Sequence, residues 1–228
     1  MTTSVKIRVL LAEDHEVVRQ GLCTLLEAEG HFEVVGQAQT GREAVELARS
    51  LDPDVIVMDI AMPFLNGLAA TLQILSAKPT ARVLILSAHS DDEYIRRMTA
   101  VGAVGFLEKQ TSATILVRAI CEVAAGRAFF SPAIEKRIAE RKTRTRDRDG
   151  LLTPNGTRLT SRESEVLQLV AEGQANKQIA AHLGISIKTV EKHRQQVMHK
   201  LNIHETAGLT RYAIDQGIIE SNVRVTII

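Results

Sequence analysis

Five residues in the first half of the chain have types that can act together on a phosphoryl group: Glu13, Asp14, Asp59, Ser87 and Lys109. Asp59 falls in DVIVMDI (54–60), a run otherwise suited to a strand buried on both faces. A carboxylate there is costly unless something pairs with it. Glu13 and Asp14 end the apolar run KIRVLLA (6–12) in the same way. Three carboxylates brought to one place repel and call for a divalent cation, and an all-oxygen ligand set suits Mg²⁺ rather than Zn²⁺. Ser87 follows VLIL and Lys109 follows GFLE. A hydroxyl and an ammonium facing the acids can hold phosphoryl oxygens, leaving Asp59 as the acyl-phosphate nucleophile. Singly, each has a plainer explanation: a turn aspartate, a helix-capping serine, a solvated lysine. The coincidence of all five at strand ends favours a site.

The elements that must position them are legible as alternating patterns. Strand-like runs occupy 6–12, 32–38, 54–60, 82–88 and 104–108, and helical periodicity covers segments near 15–29, 41–51, 67–77, 91–101 and 112–125. Five βα units with nearly continuous apolar strands predict an α/β domain, a parallel sheet covered by helices on both faces. Ligands of such sheets bind outside the carboxyl ends of the strands, which is where the five residues fall.

At 228 residues and 45% hydrophobic content, the chain has material for two domains. Aromatics make up only 3% and Trp is absent, so aliphatic cores are expected rather than stacking platforms for bases or sugars. No apolar stretch approaches the roughly 20 residues of a membrane span, and the protein is expected to be soluble and cytoplasmic. Cys23 and Cys121 both fall in helix-like segments and read as small buried thiols. NGT at 155–157 matches a glycosylation sequon but has no secretory signal to give it meaning.

The net charge of +1 conceals an asymmetry. Residues 1–130 carry 12 Lys or Arg against 16 Asp or Glu, whereas residues 131–228 carry 16 against 11. Much of the second excess lies in KRIAERKTRTRDRD (136–149), which reads first as a solvated linker and second as a DNA-contacting arm. The domain limits expected are therefore 1–130, a linker over 131–157, and a second domain over 158–220.

In that second domain Thr160 and Glu163 form a capping box that starts a helix running to about Glu172, with Gly173 placed to end it. NKQIAAHL gives a short helix, and Ser186 caps a third, IKTVEKHRQQVMHKL. Two short helices joined by a glycine-containing turn are the sequence form of helix-turn-helix. On the third helix Ile187, Val190, Val197, Met198 and Leu201 make an inward stripe, and Lys188, Glu191, Lys192, Gln195 and His199 an outward one. An ordinary solvated face would also account for the outward residues.

The first 130 or so residues resemble a two-component receiver domain. In that family an acidic pair matches Glu13 and Asp14, the phosphoacceptor matches Asp59, the hydroxyl switch Ser87, the aromatic switch Phe106 and the lysine Lys109. The resemblance implies a flavodoxin-like, doubly wound (βα)5 fold and Mg²⁺-dependent phosphoryl transfer from a histidine kinase, with the backbone carbonyl of Ala61 as a further metal ligand. It also implies that Ser87 moves toward the phosphoryl group and Phe106 turns inward. Gln110 stands where many receivers have proline, so no cis peptide is presumed. Residues 158–219 resemble the four-helix LuxR-class DNA-binding domain, carried by LTSRESEVLQLVAEG, NKQIAAHLGIS and KTVEKHRQQVMHKL. The whole chain is thus similar to NarL/FixJ response regulators, with a smaller all-α helix-turn-helix domain after the receiver.

This second resemblance implies that Lys188 to Gln195 enter the major groove, with Glu191, Lys192 and Gln195 as base readers. The side-chain types suit cytosine, guanine and adenine edges respectively. Asn176, Lys177 and Thr189 are assigned to phosphates, and Arg194 to either role. The final helix pairs two copies in the family, implying a homodimer on inverted half-sites of promoter DNA; RNA polymerase is a further candidate partner. Enzymatic activity is expected only as phosphoryl transfer to Asp59 and its hydrolysis. A small-molecule phosphohydrolase would need a second acid two residues after the nucleophile, where DIAMP has none. A pseudo-receiver controlled by a protein partner is the other alternative, and the intact five-residue set counts against it. The tail SNVRVTII has no assignment.

Overall fold

The structure, a computed structural model, describes residues 6–88, 98, 101–130, 134–135 and 159–219. It divides into two compact units, Met1–Gly150 and Leu151–Ile228. The helix expected over 91–101 lies outside the described residues except for Met98 and Val101, as do most of the expected linker and the tail.

In the first unit the strands are β1 (Ile7–Ala12), β2 (Phe32–Ala38), β3 (Val55–Asp59), β4 (Val83–Ser87) and β5 (Gly105–Glu108). All pairs are parallel, in the order β2-β1-β3-β4-β5. Helices α1 (Glu16–Ala28), α2 (Gly41–Leu51), α3 (Gly67–Ala77) and α4 (Ala113–Ala124) join them. Every residue of β3 and β4 is buried, as near-continuous apolar strands require when helices cover both faces. One apolar cluster joins alternate strand residues Leu10, Ile56, Ile85 and Phe106 to Ala44, Ala70 and Ile74 of α2 and α3. The other joins Val9, Val57, Leu84 and Leu107 to Leu26, Leu116, Ala119 and Val123 of α1 and α4. The two-residue strand period therefore sorts the core into two layers.

The sheet does not end cleanly at β5. Phe129 forms a parallel bridge with Gly105: its N–H donates to the Val104 carbonyl and its own carbonyl accepts from the Phe106 N–H, both at 3.0 Å. Phe130 packs against the α2–α3 layer and Ile134 is buried within it. The packing of this unit thus reaches into the segment that composition assigns to the linker.

The second unit contains α5 (Ser161–Ala171), α6 (Asn176–Leu183), α7 (Ile187–Leu201) and α8 (Thr206–Asp215). The capping box forms as the sequence predicts. The Glu163 N–H donates to the Thr160 hydroxyl at 3.3 Å, and the Thr160 N–H to Glu163 Oε2 at 2.7 Å. Gly184, in the left-handed region at φ +63°, ends α6, and the Ser186 hydroxyl accepts from the Thr189 N–H at 3.1 Å to begin α7. Val166, Leu167, Leu169, Ile179, Val190, Val197, Leu201 and Leu209 form the buried set that holds the four helices. The inward stripe read for α7 is corrected at Ile187, which is 45% exposed because it opens the helix before the packed seam begins.

Candidate functional site

The first site forms where β1, β3, β4 and β5 end. Asp59 closes β3 at 2% exposure, and Glu13, just past β1, is 1% exposed. Between them stands the Lys109 ammonium, 3.0 Å from Asp59 Oδ2 and 2.8 Å from Glu13 Oε2. The other Asp59 oxygen accepts the Ile60 N–H at 2.8 Å, which fixes the carboxylate against its own backbone. Asp14 is half-buried beside Glu13. Ser87 is buried at the end of β4, and its carbonyl accepts the Lys109 N–H at 2.7 Å, tying the serine and lysine backbones together. Ala61 lies two residues beyond Asp59 in the loop before α3, half-buried. Phe106 is fully buried one strand from Ile85, so its ring already lies inside.

One ammonium does not neutralise this cluster. Burial, then the Glu13 charge, pushes the Asp59 carboxyl up to about 6 against the pull of Lys109. Lys109 is in turn held above its ordinary value: burial opposes its charge, and the attraction of Asp59 and Glu13 outweighs burial. The buried Glu13 Oε2 and Asp59 Oδ2 have the same ammonium as their charge partner, and Asp14 adds a third carboxylate beside them. The surplus of negative charge fits a divalent cation, and ligand atoms from Glu13, Asp14, His15 and Asp59 lie within 4.8 Å of one another.

The second candidate surface is the outward side of α6 and α7. Lys177, Lys188, Glu191, Lys192 and Gln195 are all exposed there. Asn176, Thr189 and Arg194 are half-buried and each is engaged within the protein. The Thr189 hydroxyl meets Ser186 Oγ at 2.8 Å. Arg194 donates to Asn176 Oδ1 at 3.3 Å and to Thr206 Oγ1 at 2.5 Å, bracing α7 against the starts of α6 and α8.

Residues 9–121 match the model of the response regulator receiver domain, and residues 157–213 that of the bacterial regulatory proteins of the luxR family. The chain is a two-component response regulator. It belongs to the branch that couples a receiver to a LuxR-type DNA-binding domain and regulates transcription. Among its relatives, the transcriptional regulatory protein MctR of Rhizobium johnstonii is 40% identical over 220 residues, covering 96% of this chain and 98% of that protein. DegU of Brevibacillus brevis, also a transcriptional regulatory protein, is 34% identical over 94% of this chain and 96% of its own. Of solved structures, a LuxR-family response regulator from Aurantimonas sp. SI85-9A1 superposes with a TM-score of 0.57 at 35% identity, over 60% of this chain and 99% of that one. The response regulator RcsB in complex with DNA gives 0.55 at 25% identity, over 91% and 97%.

Three positions in this response regulator escaped the sequence reading. Arg19 is buried in α1 and donates to the Glu13 carbonyl at 2.8 Å, pinning the turn that carries the acid pair. A Cβ at Gly67 would stand 1.8 Å from the Asp59 carbonyl oxygen, so only glycine lets α3 begin against the end of β3. The asparagine–glycine pair in AMPFLNG was the available signal. His15 directly follows the acid pair, and its Nδ1 lies 3.1 Å from Glu13 Oε1 and 3.0 Å from Asp14 Oδ1. Among the described residues no helix is long and apolar enough to cross a membrane.

Proposed function

We propose that Asp59 is the phosphoacceptor of this regulator, taking the group from a histidine kinase, with Glu13, Asp14, Asp59 and the Ala61 carbonyl holding Mg²⁺. The observation that carries this reading is a carboxylate buried to 2% exposure at a strand end, beside a second buried carboxylate and a single lysine. When bound, the cation supplies positive charge against the acids and the incoming phosphoryl oxygens. Asp59 attacks phosphorus through its carboxylate and forms an acyl phosphate, while the donor imidazole leaves. Lys109 balances charge at the phosphoryl oxygens, and the Ser87 hydroxyl offers them a hydrogen bond. Phosphorylation adds about −1.5 to −2 charges and three acceptor oxygens, enough to draw Ser87 and Lys109 and shift the ends of β4 and β5. Phe106 answers by repacking, since its ring has no hydroxyl. Apart from this transfer and the hydrolysis of its product, the protein has no catalytic role.

The output is sequence-specific binding to promoter DNA by a homodimer on inverted half-sites, with RNA polymerase as a downstream partner. Glu191, Lys192 and Gln195 read bases, Lys188 enters the groove with them, and Lys177 contacts phosphates from the exposed rim. The bonds of Asn176, Thr189 and Arg194 within the unit support an additional bracing role that orients α7 for the groove. The deciding experiment is intact mass after incubation with Mg²⁺ and a small-molecule phosphodonor. Wild type gains one phosphoryl group and Asp59→Asn gains none. Absence of any gain across several donors would replace this reading with a pseudo-receiver.

A further inference from the structure

The acid site carries a nitrogen beside its oxygens. His15 occupies the N-cap position of α1, where serine, threonine, aspartate or asparagine would bond the first turn, yet its side chain makes no capping bond. The ring turns instead to the acid pair, with Nδ1 at 3.0 Å from Asp14 Oδ1 and 3.1 Å from Glu13 Oε1. Its backbone N–H also donates to Glu13 Oε1 at 3.1 Å, so the residue is held at the site by main chain as well as ring. Metal–ligand bonds of about 2.1 Å place neighbouring ligands of an octahedral ion about 3 Å apart. His15 Nδ1 stands at that spacing from both acids.

The donor types then decide which ions benefit. Mg²⁺ takes oxygen ligands and keeps its waters, whereas imidazole suits the first-row transition ions, and Mn²⁺ accepts carboxylate and imidazole together. We infer that His15 Nδ1 is an inner ligand for transition dications such as Mn²⁺, so that this site binds them through carboxylates plus imidazole while holding Mg²⁺ through oxygen alone. The inference rests on the reading of Glu13, Asp14 and Asp59 as a divalent-cation site. Independently of the histidine, the buried Glu13 and Asp59 carboxylates share the one Lys109 ammonium, at 2.8 Å and 3.0 Å, and that imbalance of two buried acids against one cation points to a further cation. The His15 side chain is 61% exposed, so replacing it leaves the core intact.

The test uses the full chain, stripped of metal, titrated with Mn²⁺ and separately with Mg²⁺ by calorimetry. Electron spin-echo spectra of the Mn²⁺ form detect any coordinated ¹⁴N. Wild type should show imidazole nitrogen coupling, and His15→Gln should lose it. That variant should weaken Mn²⁺ on the order of tenfold while Mg²⁺ affinity changes less than about twofold. No nitrogen coupling in Mn²⁺-loaded wild type overturns the inference. So does an equal loss for both ions in His15→Gln, which would make His15 a residue that only positions the carboxylates. Asp59→Asn separates the underlying reading: if it binds both ions as wild type does, or if wild type binds neither, the cation site itself is rejected.

Discussion

Asp59 and Glu163 are both buried carboxylates with a lysine ammonium within reach, and their ionisation is driven in opposite directions. Asp59 meets Lys109 at 3.0 Å, but burial and the neighbouring Glu13 lift its carboxyl to about 6. Burial works against Glu163 as well, at 3% exposure. There, however, the Lys200 ammonium at 2.6 Å and the Thr160 N–H at 2.7 Å outweigh it and hold the carboxyl below the ordinary glutamate range. The difference lies in the count of partners. Glu163 is met by both the Lys200 ammonium and the Thr160 N–H of its capping box; Asp59 shares Lys109 with Glu13 and stands near Asp14. One arrangement ties the start of α5 to the end of α7. The other carries surplus negative charge that an added cation would offset.

The largest way to break this contrast is Lys200→Met. Removing one partner of a buried ion pair costs about 3 kcal/mol, here reduced somewhat because the lysine tip is partly solvated. Urea unfolding, followed by hydrogen exchange resolved to α5–α8, should show the loss in the second unit alone. The pH sign follows from the depressed carboxyl. Glu163 contributes stability above the ordinary glutamate value of 4.5, and that contribution is lost as pH falls through its lower folded value.

Asp59→Asn should move the first unit the other way. A carboxyl raised from 3.8 to about 6 makes the ionised group a burden, so the amide should stabilise the metal-free protein by about 2–3 kcal/mol at neutral pH. Because the folded value lies above the unfolded one, the gain is full above pH 6 and fades toward pH 4. Millimolar Mg²⁺ should reverse the ranking by stabilising wild type alone. A wild type that is the more stable in metal-free buffer at pH 7.5 would remove the contrast.

The smallest effects concern output. Lys177→Ala should weaken DNA binding evenly across operator variants and lower the salt slope by about 1, whereas Glu191→Ala should relax preference at one base pair, by about 1–3 kcal/mol. Quantitative footprinting at two salt concentrations separates the two, and the opposite pattern would exchange their roles.

The parts of the site that the sequence made legible are those written in local period. Val55 to Met58 are apolar without interruption, so Asp59 had to sit at a strand end, and α6 and α7 follow the limits that Gly184 and Ser186 set. Contacts between distant or differently directed groups left no such trace. Arg19 reads as a helix-surface arginine until the turn of β1 into α1 folds over it. Arg194 reads as a DNA contact alone, and its bracing of α7 is visible only once the start of α8 approaches; His15 reads as a poor N-cap until its ring turns back. Ile187 matches the inward stripe by spacing, but spacing does not tell where along a helix the packed seam begins.

The strand-like pairing of Phe129 beside Gly105 has a consequence for how the receiver can be cut. A fragment ended before Phe129 would leave the Phe106 N–H and Val104 carbonyl without their main-chain partners, on a sheet rim flanked by Leu107 and the ring of Phe106. Such a rim is a template for strand addition from any neighbouring chain. The residues after α4 therefore act as insulation, and a shortened receiver would tend to self-associate for reasons unrelated to its phosphorylation.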